Sequence, residues 1–195
     1  MLRDFLRIIK GFVLFIGPTQ AGKTSILRRL VTGKFEDPEP TLGFREENIA
    51  KVRVIEIGGQ LEFKKHWGTA IEQKPVWIFY VVDITRHDEF GEFEEFVAKL
   101  EAVDSGIRKK ITLVLNKVDK LEGVTKTVPP SNSITCSAKT GEGMIDLLEE
   151  VASNKDAIAS DTSDLGTVTT EEVSSNDQKG ETDTETLLNE YKDKF

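Results

Sequence analysis

The stretch Gly17-Pro18-Thr19-Gln20-Ala21-Gly22-Lys23-Thr24 restricts this chain more than any other. It fits G-x-x-x-x-G-K-[ST], a pattern whose backbone cradles phosphate. The apolar run Phe12 to Ile16 leads into it and a helical pattern, Ser25 to Leu30, leaves it. That strand, loop, helix order lets the string act as a site. Gly17 and Gly22 allow backbone N–H groups to converge on phosphate oxygens with no Cβ in the way. The helix that follows, opening near Ser25, adds unpaired N–H groups and the positive end of its dipole. Lys23 supplies a cation to the β- and γ-phosphates, and the Thr24 hydroxyl binds the Mg²⁺ that bridges them. The expected ligand is a nucleoside triphosphate with Mg²⁺; the competing explanation is a chance match in a glycine-containing turn.

The 195 residues suit one domain plus an extension. The net charge of −8 is unevenly placed. From Asn154 to Phe195 there are eleven acidic and four basic residues, while the rest has 23 acidic and 22 basic. The globular part is close to neutral, with no broad basic face for nucleic acid. The single cysteine, Cys136, excludes an intramolecular disulfide and a cysteine-based zinc site. It suits a reducing compartment, hence a cytoplasmic protein. No apolar run approaches the roughly 20 residues of a spanning helix. No secretory signal pattern opens the chain.

Residues 1–9 carry Leu2, Phe5, Leu6 and Ile9 on one helical face, with Arg3 and Arg7 elsewhere. Two readings stay open. One is a short amphipathic helix in weak peripheral contact with an anionic membrane; the other, which we favour, is a lead-in packed against the domain. Residue 2 is Leu, which excludes N-myristoylation. Residues 10–153 alternate strand and helix. Phe12–Ile16, Val76–Asp83 and Ile111–Leu115 read as strands covered on both faces. Gly43–Ala50 and Lys51–Ile57 read as a hairpin, and Ser133–Cys136 as a short strand after the Pro129-Pro130 turn. Leu61–Gln73, Glu89–Ala102 and Gly141–Ala152 read as helices. The expected fold is α/β, a mostly parallel six-stranded sheet with helices on both faces and ligands at the carboxyl ends of the strands. From Asn154 to about Glu185 the acidic, Ser/Thr-rich composition predicts a disordered tail. Leu187, Leu188, Tyr191 and Phe195 recover a helical spacing there, read as a transient helix in preference to a partner-binding motif.

The base follows from Asn116-Lys117-Val118-Asp119, which fits N-K-x-D after a buried strand. An Asp carboxylate can accept from guanine N1–H and its exocyclic amine, whereas adenine would leave it unpaired. The Lys117 stem can lie over the ring. Ser137-Ala138-Lys139 offers a backbone N–H to guanine O6.

With these motifs in this order, residues 10–153 resemble the Ras-like small GTPases of the phosphate-loop class. Pro40-Thr41-Leu42-Gly43-Phe44, Gly58-Gly59-Gln60, Trp67 and Val81-Val82-Asp83 make the chain look most like the ADP-ribosylation-factor branch. The resemblance implies that Thr41, in the first switch loop, binds Mg²⁺ through its hydroxyl and the γ-phosphate region through its backbone. It implies that Gly59 gives an N–H to the γ-phosphate and that Gln60 orients the attacking water. It also implies effector-facing roles for Phe44 and Trp67, and protein effectors, an exchange factor and a GTPase-activating partner. Three positions depart from the pattern. Glu56 stands where the family has Asp, which weakens or re-routes its water-mediated contact to Mg²⁺. Thr41 and Glu56 are fifteen positions apart, short for a hairpin that slides. Leu2 replaces an acylated glycine. No Arg lies between Gly33 and Thr41, so slow unassisted GTP hydrolysis is expected. Two alternatives remain open: a hydrolysis-deficient guanine-nucleotide-binding module, prompted by Glu56, and a phosphate-loop kinase or ATPase.

Overall fold

The computed structural model describes residues 11–121, 130 and 132–154. The expected lead-in over 1–9, Pro129 of the proline turn and the tail from 155 lie outside the described residues. Ten main elements follow in order: β1 (Val13–Ile16), α1 (Lys23–Thr32), β2 (Phe44–Ile49), β3 (Val52–Ile57), α2 (Leu61–Glu72), β4 (Trp77–Asp83), α3 (Asp88–Glu101), β5 (Ile111–Asn116), β6 (Ser133–Thr135) and α4 (Met144–Ser153). Short 3₁₀ turns occupy Ile107–Lys110 and Val118–Lys120.

The six strands form one sheet in the order β2-β3-β1-β4-β5-β6. Only the β2–β3 hairpin is antiparallel, with Phe44 opposite Ile57 and Ile49 opposite Val52. The other four pairings are parallel. This is the α/β architecture expected from the alternation of elements. The hairpin closes at Ala50 and Lys51, with φ of 50° and 65°. Neither is Gly or Asn, so the turn carries some backbone strain.

Strand alternation divides the core into two layers. Val13, Phe15, Phe79, Val81 and Val114 face one side, where Ile26, Leu27 and Leu30 of α1 and Met144, Leu147, Leu148 and Val151 of α4 cover them. Leu14, Ile16, Ile78, Tyr80, Val82 and Leu113 face the other, under Trp67 and Ala70 of α2 and Phe93 and Val97 of α3. Burial on both faces explains why the central strands read as unbroken apolar runs. The helices after the adjacent strands β1 and β4 therefore leave to opposite faces. A crevice opens at their carboxyl ends, where open α/β sheets place ligands.

Trp67 departs from its expected outward role. It is 5% exposed, makes edge-on contacts with Tyr80 and Phe96, and gives its indole N–H to Gly58 O at 3.3 Å. A large ring with a nearby carbonyl for its one donor gains more inside than outside. Phe44 is half-buried and packs against the same layer. Asn154, grouped by composition with the tail, is 5% exposed and gives its side-chain amide to Glu150 O at 2.8 Å, closing α4.

Candidate functional site

The loop between β1 and α1 is shaped by contacts that tolerate no side chain. Gly17 has φ +141°, and a Cβ there would lie 2.0 Å from Val81 O. Gly22, at φ +90°, caps α1 without a side-chain hydrogen bond, so the first helical amides remain available to an anion. The Lys23 ammonium is held at 2.8 Å from both Gly17 O and Pro18 O. Burial pushes its pKa down to about 8, against the opposing fields of Glu56 and Glu89.

The loop fronts a cleft of about 570 Å³. Thr19, Gln20, Gly22, Lys23, Thr24 and Ser25 line its floor, and Thr41, Glu56, Gly59 and Gln60 one wall. Asn116, Lys117, Asp119, Ala138 and Lys139 line the far end. Four predicted residues stay outside the lining. Gly17 and Pro18 turn their carbonyls to Lys23, Ala21 O accepts from Asn116 Nδ2 at 2.8 Å, and Ser137 is wholly buried. Ser137 Oγ gives its hydrogen to Asp119 Oδ1 at 2.5 Å and so stands behind the carboxylate that faces the cleft.

Asn116 joins the two ends of the site. Besides its bond to Ala21 O, its Oδ1 accepts from Ala138 N at 3.2 Å. Lys117 takes a left-handed φ of 70°, and its ammonium bonds Gln20 O at 2.6 Å and Asp83 Oδ2 at 2.7 Å. Burial would raise the Asp83 carboxyl, but the bonds from Lys117 and from the Thr85 hydroxyl and amide outweigh it and hold it below its ordinary value. Buried Glu89 accepts from Asp83 N at 2.9 Å and pairs with Arg86 at 3.0 Å. Arg86 in turn reaches Gln20 Oε1 at 2.9 Å and Thr19 O at 3.3 Å. The loop tip is thus braced from behind by β4 and the start of α3.

The expected metal ligands meet on the opposite side. Thr24 Oγ1 lies 2.7 Å from Thr41 Oγ1, and Glu56 Oε1 accepts from Thr24 at 2.6 Å and from Thr41 at 3.2 Å. Glu56 is 1% exposed, and its Oε2 is buried with no hydrogen-bond partner. Among the described residues no group of three or more His, Cys, Asp or Glu could hold a metal. The set here is two hydroxyls and one carboxylate, all hard oxygens, with a buried carboxylate oxygen lacking any counterpart. That donor chemistry suits Mg²⁺ completed by phosphate oxygens and water.

The residues that brace the site were the harder ones to read. Asp83 carried a signal, a charge at the carboxyl end of a buried strand. Arg29 carried none; it sits in a helix among other basic residues, yet it is 9% exposed and reaches across to residues 138–140. Cys136 is fully buried, and burial pushes its thiol up to about 12, so it is not a nucleophile near neutral pH.

Comparison with known proteins points to one family. A model of the ADP-ribosylation factor family matches residues 5–155. An ADP-ribosylation factor of Encephalitozoon cuniculi is 34% identical over 111 residues, covering 55% of this chain and 53% of that protein, so the chain spans about half its length. ADP-ribosylation factor 3 of Arabidopsis thaliana is 28% identical over 156 residues, covering 70% of this chain and 84% of that one. A chain of the structure titled "The Structure of the Mammalian SRP Receptor" has a TM-score of 0.56 at 16% identity, covering 73% of this chain and 98% of its own, a likeness of fold alone. With the family model spanning most of its length, the chain belongs to the ADP-ribosylation factor family, within the Ras-like small GTPases.

Proposed function

We propose that the cleft binds GTP and GDP with Mg²⁺ and hydrolyses GTP slowly, so that the chain works as a nucleotide-dependent switch. One observation carries the reading: a phosphate loop, a hydroxyl–carboxylate cluster and an N-K-x-D carboxylate line a single cleft. The amides of the loop and of the α1 N-terminus bind the phosphates. The Lys23 ammonium has a third N–H beyond the two given to Gly17 O and Pro18 O, and its charge offsets that of the phosphates. Thr24 and Thr41 can donate their hydrogens to Glu56 and keep lone pairs for the cation. Bound there, Mg²⁺ would neutralise charge on the β- and γ-phosphates. Asp119 reads the base edge, and the Lys117 stem covers the ring.

Hydrolysis needs a water in line with the γ-phosphate. Gln60 orients it in this reading, and Gly59 N–H holds the phosphate oxygen. The guanidinium next to the loop, Arg86, is tied to Glu89, Gln20 and Thr19, and the loop preceding Thr41 supplies no arginine. With no free guanidinium beside the loop among the described residues, and with such a group contributing on the order of 10³–10⁵ in rate, the chain hydrolyses GTP slowly until a partner supplies one. Loss of the γ-phosphate would release Thr41 and Gly59 together, changing the surface offered to effectors. Among the described residues no helix is long and apolar enough to cross a membrane. Single-turnover phosphate release with Mg·GTP tests the proposal: slow but measurable hydrolysis supports it. Tight GTP binding without hydrolysis, restored by Glu56→Asp, would favour the hydrolysis-deficient module.

A further inference from the structure

Arg29 projects from α1, on the sheet face opposite α2 and α3, into the loop that follows β6. Its Nη1 donates to Ala138 O at 3.2 Å and to Lys139 O at 3.1 Å, and its Nη2 to Thr140 O at 3.4 Å. One planar fork therefore holds three consecutive carbonyls of a loop more than a hundred residues away. The fit is close: Gly141 has φ +96°, and a Cβ there would lie 2.6 Å from Arg29 Nη2.

The peptides of the described residues are all trans, so each C=O turned toward Arg29 directs the next residue's N–H away from it. The neighbouring amides are already committed. Ser137 N donates to Glu142 O at 2.8 Å, Ala138 N to Asn116 Oδ1 at 3.2 Å and Thr140 N to Ser137 Oγ at 3.1 Å. Lys139 N–H is left with no acceptor among the described residues, and Lys139 and Asp119 line the same cleft. We propose that Arg29 is a positioning residue for base specificity: by gripping the Ala138, Lys139 and Thr140 carbonyls it aims Lys139 N–H at the purine 6-position. There the amide bonds a 6-oxo group and opposes the 6-amino group of adenine. The Ser137-Ala138-Lys139 sequence predicts a base contact but singles out neither the amide nor its support. The inference rests on the guanine reading above and goes further in naming the donor and what orients it.

Competition against a fluescent GDP tests it, with GDP, IDP, 6-thio-GDP and ADP as probes and Mg²⁺ present. Wild type should prefer GDP to ADP. In Arg29→Ala the dissociation constants of GDP and IDP should rise together by about tenfold, the loss of one well-made hydrogen bond. Both bases keep O6, so their ratio stays unchanged. ADP should move by less than about twofold, and 6-thio-GDP, with a weak acceptor at position 6, should rise less than GDP. Arg29→Lys keeps the charge but not the fork, and should fall between the two. A role confined to stability would weaken all four nucleotides alike, and an unchanged GDP/ADP ratio in both variants would overturn the proposal. Should Arg29→Ala fail to fold, Arg29→Lys carries the same test. A wild type with no preference for GDP over ADP would instead defeat the guanine reading itself.

Discussion

Replacing Lys117 with Met removes the ammonium and keeps an unbranched stem. In the wild type that ammonium lies 2.7 Å from Asp83 Oδ2, and the Asp83 side chain is only 3% exposed. After the change Oδ1 keeps the Thr85 hydroxyl at 2.7 Å and amide at 3.1 Å, while Oδ2 keeps only Arg86 Nε at 4.0 Å. Breaking a fully buried pair costs about 3–5 kcal/mol. Lys117 is 22% exposed and Arg86 stays nearby, so the loss should be nearer that of one charged hydrogen bond, about 2–3 kcal/mol. For a domain of this size that lowers Tm by roughly 5–10 °C. The sign of the pH dependence follows from Asp83. Its carboxyl is held below the ordinary 3.8, so the pair's stability is present above that value and is lost as pH falls through the folded-state value. The gap between wild type and Lys117→Met, measured by urea denaturation without nucleotide, should be constant near neutrality and shrink below about pH 4. Asp83→Asn combined with Lys117→Met should cost less than the sum of the single changes. Additive costs, or a gap unchanged at low pH, would refute the assignment of Asp83 as the partner that holds Lys117.

Lys23 makes a second pH prediction. The ammonium is disfavoured by burial in the folded protein, so the nucleotide-free chain should gain stability as pH rises from about 8 towards 10.5. Phosphate binds the charged form, so calorimetric Kd values for GDP should be flat below pH 8 and rise up to about tenfold per unit above it, with proton uptake. Glu56→Asp draws the carboxylate back by about 1.5 Å, breaking the contacts at 2.6 and 3.2 Å; denaturation without nucleotide should show a loss of about 2–3 kcal/mol. A Cβ on Gly59 would lie 2.4 Å from Gly17 O and 2.5 Å from Thr19 N, so Gly59→Ala should push this segment off the phosphate loop. Single-turnover hydrolysis should then fall on the order of 10²-fold while GDP affinity is largely kept.

What could be read from the sequence follows a physical division. Val13–Ile16, Trp77–Asp83 and Ile111–Asn116 were legible because parallel strands covered on both faces must be apolar throughout. The phosphate loop and N-K-x-D were legible because their chemistry needs particular residue types at fixed spacing. Contacts set by tertiary packing were not. Trp67, expected to face outward, lies in the core because Gly58 O and the rings of Tyr80 and Phe96 meet it there. Arg29 looked like any solvated helix residue, since the carbonyls that hold it are brought close only by the fold. Glu56 was legible as a departure, but not the form it takes: one oxygen shared by two hydroxyls and the other left bare.

The central claim is that this cleft is built for a guanine nucleotide. Equilibrium competition of GDP and ADP for the purified full chain, with Mg²⁺, tests it most directly. Readout of the base edge by the Asp119 carboxylate and a backbone amide, as proposed, should favour GDP by at least about 10³-fold. Equal affinities, or tighter binding of ADP, would contradict the account.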